Sequence, residues 1–223
     1  AWDPKDWWNG YQLVLPGAGS QDLLSRDAGN PLVPDGSNIR IVTKDHWVVS
    51  CLPSTANGES GEAFLATAPD GSRYWFNQLT YGFAPKIARS GAPADTLARA
   101  QASMLVTRVE DRFGNAVDYR YTGNRLTQIT ASDGRQVTFD YVGSTSRIQS
   151  VNVQPDSFPG RAWRYQYRSN GTQAGSTLDN VSLPDGSRWT FDLAAMRDIR
   201  LADKYQAGDC NTPASVPGGF NPT

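Results

Sequence analysis

The chain has 223 residues and a formal net charge of −1, from 22 acidic and 21 basic side chains. This length can bury one substantial core, so a single domain or a repeat array is expected. The charge balance gives no basic surplus for nucleic acid or an anionic membrane, and no apolar run is long enough for a membrane span. The 21 glycines, 14 prolines and 11% aromatic residues are typical of short strands joined by tight turns.

The N-terminal region, residues 1–62, is predicted to be a small β region with a tryptophan-rich lid. Its first eleven residues, AWDPKDWWNGY, place Trp7 and Trp8 in a turn-rich stretch. These rings either cover one end of a sheet or present a platform for sugar rings. Further along, residues 46–52 (HWVVSCL) are predicted to form a buried strand.

Residues 63–103 are predicted to form a degenerate hairpin followed by an insertion. The turn sequence APDG ends at Gly71, and Tyr74 and Phe76 follow it by three and five residues. Trp75 lies between them, on the face of the strand that should be polar. It is therefore either covered by a second layer or part of a binding surface.

The insertion lacks this alternation. Residues 94–104 (ADTLARAQASM) follow Pro93 and are rich in helix-forming side chains. We predict one short helix near residues 94–104, with an irregular loop as the alternative.

Residues 104–193 repeat one pattern four times. In each copy, apolar and mostly aromatic side chains stand three, five and seven residues after a turn glycine, with mostly polar residues between them. The turn glycines are Gly114, Gly134, Gly160 and Gly186, and the central side chains are Tyr119, Phe139, Tyr165 and Phe191. Because strand side chains alternate between faces, each copy predicts a strand with one aromatic, mostly buried face. A second apolar strand precedes each glycine, so the copies are antiparallel β-hairpins, and Asp-Gly at two turns favours type I′ geometry.

The segments 106–121 (VTRVEDRFGNAVDYRY) and 125–141 (RLTQITASDGRQVTFDY) resemble bacterial RHS/YD-repeat proteins. In that family a turn ending in Gly-Asn leads to an alternating strand ending in Tyr, then to a Leu-x-x-Ile strand. The residues that fit are Asp111, Gly114, Asn115, Tyr119, Tyr121, Leu126 and Ile129. The resemblance implies all-β, YD-type hairpin repeats that form a curved sheet or partial shell. The irregular spacing resembles the region where such repeats begin.

The resemblance also implies a function: a structural shell segment of a secreted or cell-surface protein, of the kind that encloses a toxin or mediates cell-surface contact. The expected partners are downstream repeats of the same polypeptide or a second chain at the open sheet edge, with a toxin cargo or a cell-surface glycan. The alternative is a carbohydrate-binding β module that uses Trp7, Trp8 and Trp75. Residues 194–223 are expected to form a tail or linker.

No catalytic constellation is evident in the sequence. His46 is the sole histidine, and Ser50, four residues later, would be too distant along a strand to form a base–nucleophile pair. No phosphate loop or metal cluster is recognisable, so we expect a protein that is not an enzyme and carries no cofactor. Four aspartates precede turn glycines and are expected to accept local backbone N–H bonds: Asp35, Asp70, Asp133 and Asp185.

Cys51 and Cys210 are the only cysteines. The resemblance implies secretion into an oxidising compartment, so we predict that they form a disulfide. Closing so long a loop would restrict the unfolded chain by about 4–5 kcal/mol in the entropy model. The alternative is a buried thiol at Cys51 and an exposed one at Cys210.

Overall fold

The computed structural model describes residues 3, 7–8, 10–15, 19–26, 41–89, 92–154, 160–169 and 176–193. All helical or extended structure in these residues is β-strand, and the described strand pairs are antiparallel. The predicted all-β antiparallel hairpin fold is confirmed. Described residues up to Thr138 belong to one compact unit, and those from Phe139 onward belong to a second. The predicted tail, residues 194–223, lies outside the described residues.

The strands have these bounds: β1 (Gln12–Leu15), β2 (Gly19–Asp22), β3 (Leu24–Ser25), β4 (Ile41–Val42), β5 (Val48–Leu52), β6 (Ala63–Thr67), β7 (Arg73–Arg89), β8 (Ala92–Glu110), β9 (Ala116–Thr122), β10 (Arg125–Ala131), β11 (Gln136–Tyr141), β12 (Ile148–Gln154), β13 (Arg161–Ser169), β14 (Ser176–Ser182) and β15 (Arg188–Thr190). In the first unit β1 pairs with β2, and β3 through β10 each pair with the next strand. In the second unit β12 through β15 pair in the same consecutive order.

One turn geometry recurs at four hairpins. At the first, the N–H of Gly71 donates to the Ala68 carbonyl at 3.0 Å, and the N–H of Ala68 donates to the Ser72 carbonyl at 2.8 Å. The same two bonds surround three further glycines, whose φ angles are 88°, 89° and 84°: Gly114, Gly134 and Gly186. This is a type I turn closed by a left-handed residue, a three-residue connection between paired strands.

The predicted type I′ turns are therefore wrong. Type I′ geometry would need a positive φ at Asp133 and Asp185 as well as at the following glycines. Among the described residues, His46 is the only non-glycine with a positive φ. The aspartates keep a negative φ, and their carboxylates accept the backbone N–H two residues later. The predicted turn role is thus confirmed for Asp70, Asp133 and Asp185, while Asp35 lies outside the described residues.

His46 occupies the glycine position of a fifth turn of this kind. Its φ is 65°, its N–H donates to the Thr43 carbonyl at 3.1 Å, and the N–H of Thr43 donates to the Trp47 carbonyl at 3.0 Å. The hydroxyl of Thr43 also accepts the N–H of Trp47 at 3.2 Å. Strand β5 consequently begins at Val48, two residues later than predicted. His46 is therefore an exposed turn residue that precedes the strand.

An apolar row crosses the first unit. Its members lie directly opposite one another in successive strand pairs: Ile41, Val49, Ala66, Tyr74, Val109, Val117 and Ala131. Val49 and Ala66 are 4% and 1% exposed. In contrast, no aromatic side chain among the described residues is fully buried, and the four predicted central side chains are partly buried: Tyr119, Phe139, Tyr165 and Phe191. In this row the small side chains of Val49 and Ala66 are the most buried.

Two tyrosines close their hairpins in the same way. The hydroxyl of Tyr121, seven residues after its turn glycine, donates to the Val106 carbonyl at 2.7 Å. The hydroxyl of Tyr167, at the same position of its own copy, donates to the Ile148 carbonyl at 2.8 Å. Val106 lies on β8 and Ile148 on β12, the strands that pair with β9 and β13. The last aromatic side chain of each of these two copies therefore bonds the backbone of the strand beside it.

The hairpin of β7 and β8 is much longer than the others, with strands of 17 and 19 residues. The predicted helix near residues 94–104 is wrong, because this segment is part of β8. Leu97 lies opposite Ile87, and Met104 lies opposite Leu79. A lone helix of that length is marginal in water, whereas pairing with β7 supplies hydrogen bonds along one edge of the segment.

A loop side chain covers part of the outer edge of β7. The amide of Asn57 donates to the Leu79 carbonyl at 2.8 Å, and its oxygen accepts the N–H of Leu79 at 3.4 Å. The N–H of Ala56 donates to the Asn77 carbonyl at 2.6 Å. These bonds continue the pairing of β7 beyond the end of β6.

Candidate functional site

The second face of the first unit carries a polar row that contains one tryptophan. Trp75 on β7 lies directly opposite Arg108 on β8. The row continues through Asp118 on β9 to Thr130 on β10. Because opposed residues share a face and successive residues alternate, Trp75 lies on the side of the sheet away from Tyr74.

Two guanidinium groups flank the Trp75 ring. Arg73 lies 5.3 Å and Arg108 lies 5.8 Å from the ring centroid. At these distances a guanidinium is attracted to the ring by its quadrupole. Trp75 is partly buried as a result. Among the described residues, these two arginines cover the ring in place of the second layer that was one expectation.

Carboxylates on the neighbouring strands hold the arginines in place. Glu110 accepts bonds from Arg108 at 3.0 Å and from Arg73, and Asp118 accepts two bonds from Arg108 at 3.0 and 3.2 Å. The bond to Glu110, followed by the bond to Asp118, raises the pKa of Arg108. The bonds from Arg108 and then Arg73 lower the pKa of Glu110. Both shifts favour the charged forms of Arg108 and Glu110.

A groove of about 410 Å³ lies beside the tryptophan. It is lined by Trp75, Asn77, Thr107, Arg108, Asp118, Tyr119, Arg120 and Thr130. An indole beside hydroxyl, amide and carboxylate groups can stack on a ring and hydrogen-bond its substituents.

Sequence reasoning identified Trp75 but missed its charged neighbours. Arg73, Arg108, Glu110 and Asp118 belong to three different strands and come together only through the strand register. The signal that could have found them is the turn spacing. Counting outward from Gly71 and Gly114 in paired strands places the four side chains on one face.

The two other predicted binding tryptophans lie elsewhere in the first unit. Trp8 is 50% exposed and contacts Tyr11 edge-to-face, with 5.2 Å between ring centroids. Trp7 is partly buried. The ring contacts among the described residues do not connect either side chain with Trp75. Their role in binding stays a prediction.

Cys51 lies on β5 opposite Phe64 and is exposed, not buried. Desolvation, and then the Glu62 carboxylate, raises the pKa of its thiol. Cys210 lies outside the described residues, so the disulfide between them stays a prediction. Two free thiols titrating in the unreduced, denatured protein would contradict it.

In the part of the chain that the structure describes, no group of three or more His, Cys, Asp or Glu side chains could hold a metal ion. The same residues contain no helix with the length and apolarity needed to cross a membrane. No protein-family model matches the chain, and no curated protein sequence matches it.

Proposed function

We propose that the chain is a structural segment of a secreted or cell-surface RHS/YD-repeat protein, of the kind that encloses a toxin or mediates cell-surface contact. The observation that carries the proposal is the recurrence of one hairpin turn, with the same pair of backbone bonds at five places. A hairpin that recurs together with its turn can pack against the hairpins before and after it. Hairpins packed in series form an extended surface. Such a segment needs no chemistry of its own.

The tyrosine bonds support the same proposal. Tyr121 and Tyr167 occupy equivalent positions in separate copies, and each donates to a backbone carbonyl of the strand beside it. Repetition of a tertiary bond, and not only of a sequence pattern, is expected when each copy is a structural unit.

The partly exposed aromatic rings support a larger assembly. Trp189 on β15 is 62% exposed although its opposed residue on β14, Val181, is 5% exposed. Among the described residues β15 pairs only with β14, and a strand with an open edge favours further pairing. We propose that downstream repeats of the same polypeptide or a second chain cover this edge. A toxin cargo or a cell-surface glycan would be the ligand of the assembled shell.

Hydrogen exchange on the isolated 223 residues tests the proposal. We expect rapid exchange of the amides of residues 188–193, and slow exchange in β9 and β10, which have strands on both sides. Adding the following repeats of the natural polypeptide should slow exchange at residues 188–193 and leave β9 unchanged. Slow exchange there in a dilute monomer would mean that the edge is already satisfied, and the proposal would fail.

A carbohydrate-binding module is the second candidate, and the groove beside Trp75 is the observation that favours it. A sugar ring would have to displace Arg73 or Arg108 from one face of the indole. Titration with neutral oligosaccharides should then change the tryptophan fluorescence of the wild type but not of a Trp75→Phe variant. Trp189→Phe, which removes a 62% exposed indole from β15, is the matched control. An equal response in all three proteins would remove Trp75 from the candidate site.

A further inference from the structure

The carboxylates at the groove beside Trp75 are already engaged by arginines. Both oxygens of Asp118 accept bonds from Arg108, at 3.0 and 3.2 Å. One oxygen of Glu110 accepts a bond from Arg108 at 3.0 Å, and the other accepts a bond from Arg73. Each of the four carboxylate oxygens in this network therefore has a guanidinium partner.

Arg120 supplies a positive charge that this network does not neutralise. It lines the groove, and it lies two residues after Asp118 on β9, so both side chains belong to the same face of the sheet. Its side chain is exposed, and among the described residues it takes part in no ion pair. Three arginines thus face two carboxylates at the site, which leaves one positive charge in excess.

Asn77 adds a second donor to the groove. The oxygen of its side-chain amide accepts the hydroxyl of Thr107, and both residues line the groove. That bond leaves the amide nitrogen to donate elsewhere, and no partner of this nitrogen is found in the part of the chain that the structure describes. An amide nitrogen and a guanidinium are donors only, so together they favour oxygen acceptors and, above all, anionic ones.

The aromatic surface of the groove lies at a distance from Arg120. Trp75 and the Asp118 row are separated by strand β8, and Arg120 is two residues further along β9. Two strand spacings and two residues place the Cα atoms of Trp75 and Arg120 on the order of 12 Å apart. The volume of about 410 Å³ is near the lower end of the roughly 300–1,000 Å³ range of ligand sites. These dimensions suit a short ligand with a ring for the indole and an anionic group for the guanidinium.

A sugar acid uses these groups more completely than an acidic peptide does. The apolar face of a sugar ring can pack on the Trp75 indole, and its hydroxyls can bond with Asn77 and with Thr130, which also lines the groove. Its carboxylate offers a guanidinium two oxygens in one plane. A chain of aspartates would pair with Arg120 and leave the indole without a ring to pack against.

We propose that the groove beside Trp75 binds an acidic sugar, with its anionic group on Arg120, its hydroxyls on Asn77 and Thr130, and its ring against the indole. The proposal rests on the carbohydrate-binding candidate above and specifies the class of its ligand. The anionic group is a carboxylate or a sulfate, since the planar fork of a guanidinium pairs with the oxygens of either.

Calorimetric titration of the full chain with two matched trisaccharides tests the proposal. A trimer of galacturonic acid and the galactose trimer with the same linkage differ only in that a carboxylate replaces a hydroxymethyl group. We expect the galacturonate trimer to bind about fivefold to tenfold more tightly, and this advantage to shrink as the salt concentration rises. A sulfated galactose trimer in the same series shows which of the two anionic groups the site prefers.

Variants of single arginines show where the preference originates. Arg120→Gln should weaken binding of the galacturonate trimer by about fivefold to tenfold and change binding of the galactose trimer by less than about twofold. Arg164→Gln removes an exposed arginine from β13 and is the matched control, which should bind both trimers as the wild type does. Trp75→Phe should weaken both. Because the readout is the ratio of two affinities, a general loss of folding would not imitate the effect of Arg120→Gln.

The possible failures are distinguishable. Equal affinity of the wild type for the two trimers, or an unchanged ratio in Arg120→Gln, would overturn the acidic-sugar proposal and leave the carbohydrate-binding candidate intact. Binding of triaspartate as tight as that of the galacturonate trimer would assign the groove to acidic peptides instead. Absence of binding by either trimer would overturn the carbohydrate-binding candidate together with the proposal.

Discussion

In strand β9 and in the outer part of β7 (residues 78–84), aromatic side chains occupy every second position. The two strands differ in how far these side chains are covered. In β9, Tyr119 lies opposite Ile129, has strands on both sides and is partly buried. In β7, Phe83 lies opposite Ala100 in a ribbon of two strands and is almost fully exposed. Alternation therefore decides which face a side chain occupies, and the flanking strands decide whether that face is covered.

The largest expected effect comes from truncating an equivalent tyrosine in each region. Tyr119→Ala should lower the free energy of unfolding by about 3 kcal/mol, because it removes a ring from a row with neighbours on both sides. Tyr81→Ala should change it by less than about 0.5 kcal/mol, because the ring is exposed. Urea unfolding of the two variants measures both values. Equal losses would show that the ribbon is as well covered as the sheet.

Backbone strain provides the next largest difference. Gly114 has a φ of 88°, and a Cβ there would meet nothing within 4 Å, so Gly114→Ala tests conformation alone. We expect a loss of about 1–2 kcal/mol. Gly82 also has open space around it and does not have a left-handed φ, so Gly82→Ala should be neutral or slightly stabilising. Similar losses at both glycines would contradict the turn assignment.

The tyrosine bond in the sheet should contribute less. Tyr121→Phe removes its bond to Val106 and should cost about 1 kcal/mol, whereas Tyr81→Phe should cost nothing measurable. Burial, and then Tyr119, raises the pKa of Tyr121 to about 12. The neutral form is thus favoured by folding, and its contribution is complete below the ordinary pKa near 10 and lost as pH rises from there towards 12. Alkaline unfolding of Tyr121→Phe should begin at a higher pH than that of the wild type.

A stabilising substitution is expected at the fifth turn. His46→Gly should raise the free energy of unfolding by about 0.5–1 kcal/mol, since glycine adopts the left-handed φ of 65° without strain. Thermal unfolding measures the change. A decrease would show that the imidazole contributes more than its backbone conformation costs.

The smallest effect concerns the turn aspartates at low pH. Local bonds lower the pKa of Asp70, Asp111, Asp133 and Asp185, with Ser72, Asn115, Arg135 and Ser187 as the main donors. A lowered folded-state pKa gives stability that is complete above the ordinary value near 3.9 and lost as pH falls through the folded value. The unfolding midpoint should decline below about pH 4, and less steeply in Asp185→Asn. A decline beginning near pH 6 would point to a different group.

Much of the sheet was predictable because strand alternation is a local property. Tyr119 could be assigned to one face and Asp118 to the other from the sequence, and their opposed residues Ile129 and Thr130 agree. The turn positions were equally accessible because glycine favours a left-handed φ. The turn at His46 was missed because this residue adopts a left-handed φ although it is not glycine.

The errors arose where pairing over distance overrides local preference. Residues 94–104 have helix-forming side chains, yet β7 offers most of them a paired strand. The charged neighbours of Trp75 were missed because they lie on three strands, and only the pairing of β7 with β8 and of β8 with β9 brings them together.

The Asn57 side chain has a consequence for association between molecules. Its amide presents one donor and one acceptor to Leu79, as a peptide group of an adjacent strand would. A foreign strand that tried to extend the sheet along β7 would first have to expel this amide, and would gain at that point no bond that is not already made. One side chain thus limits growth of the sheet from this edge into a fibre.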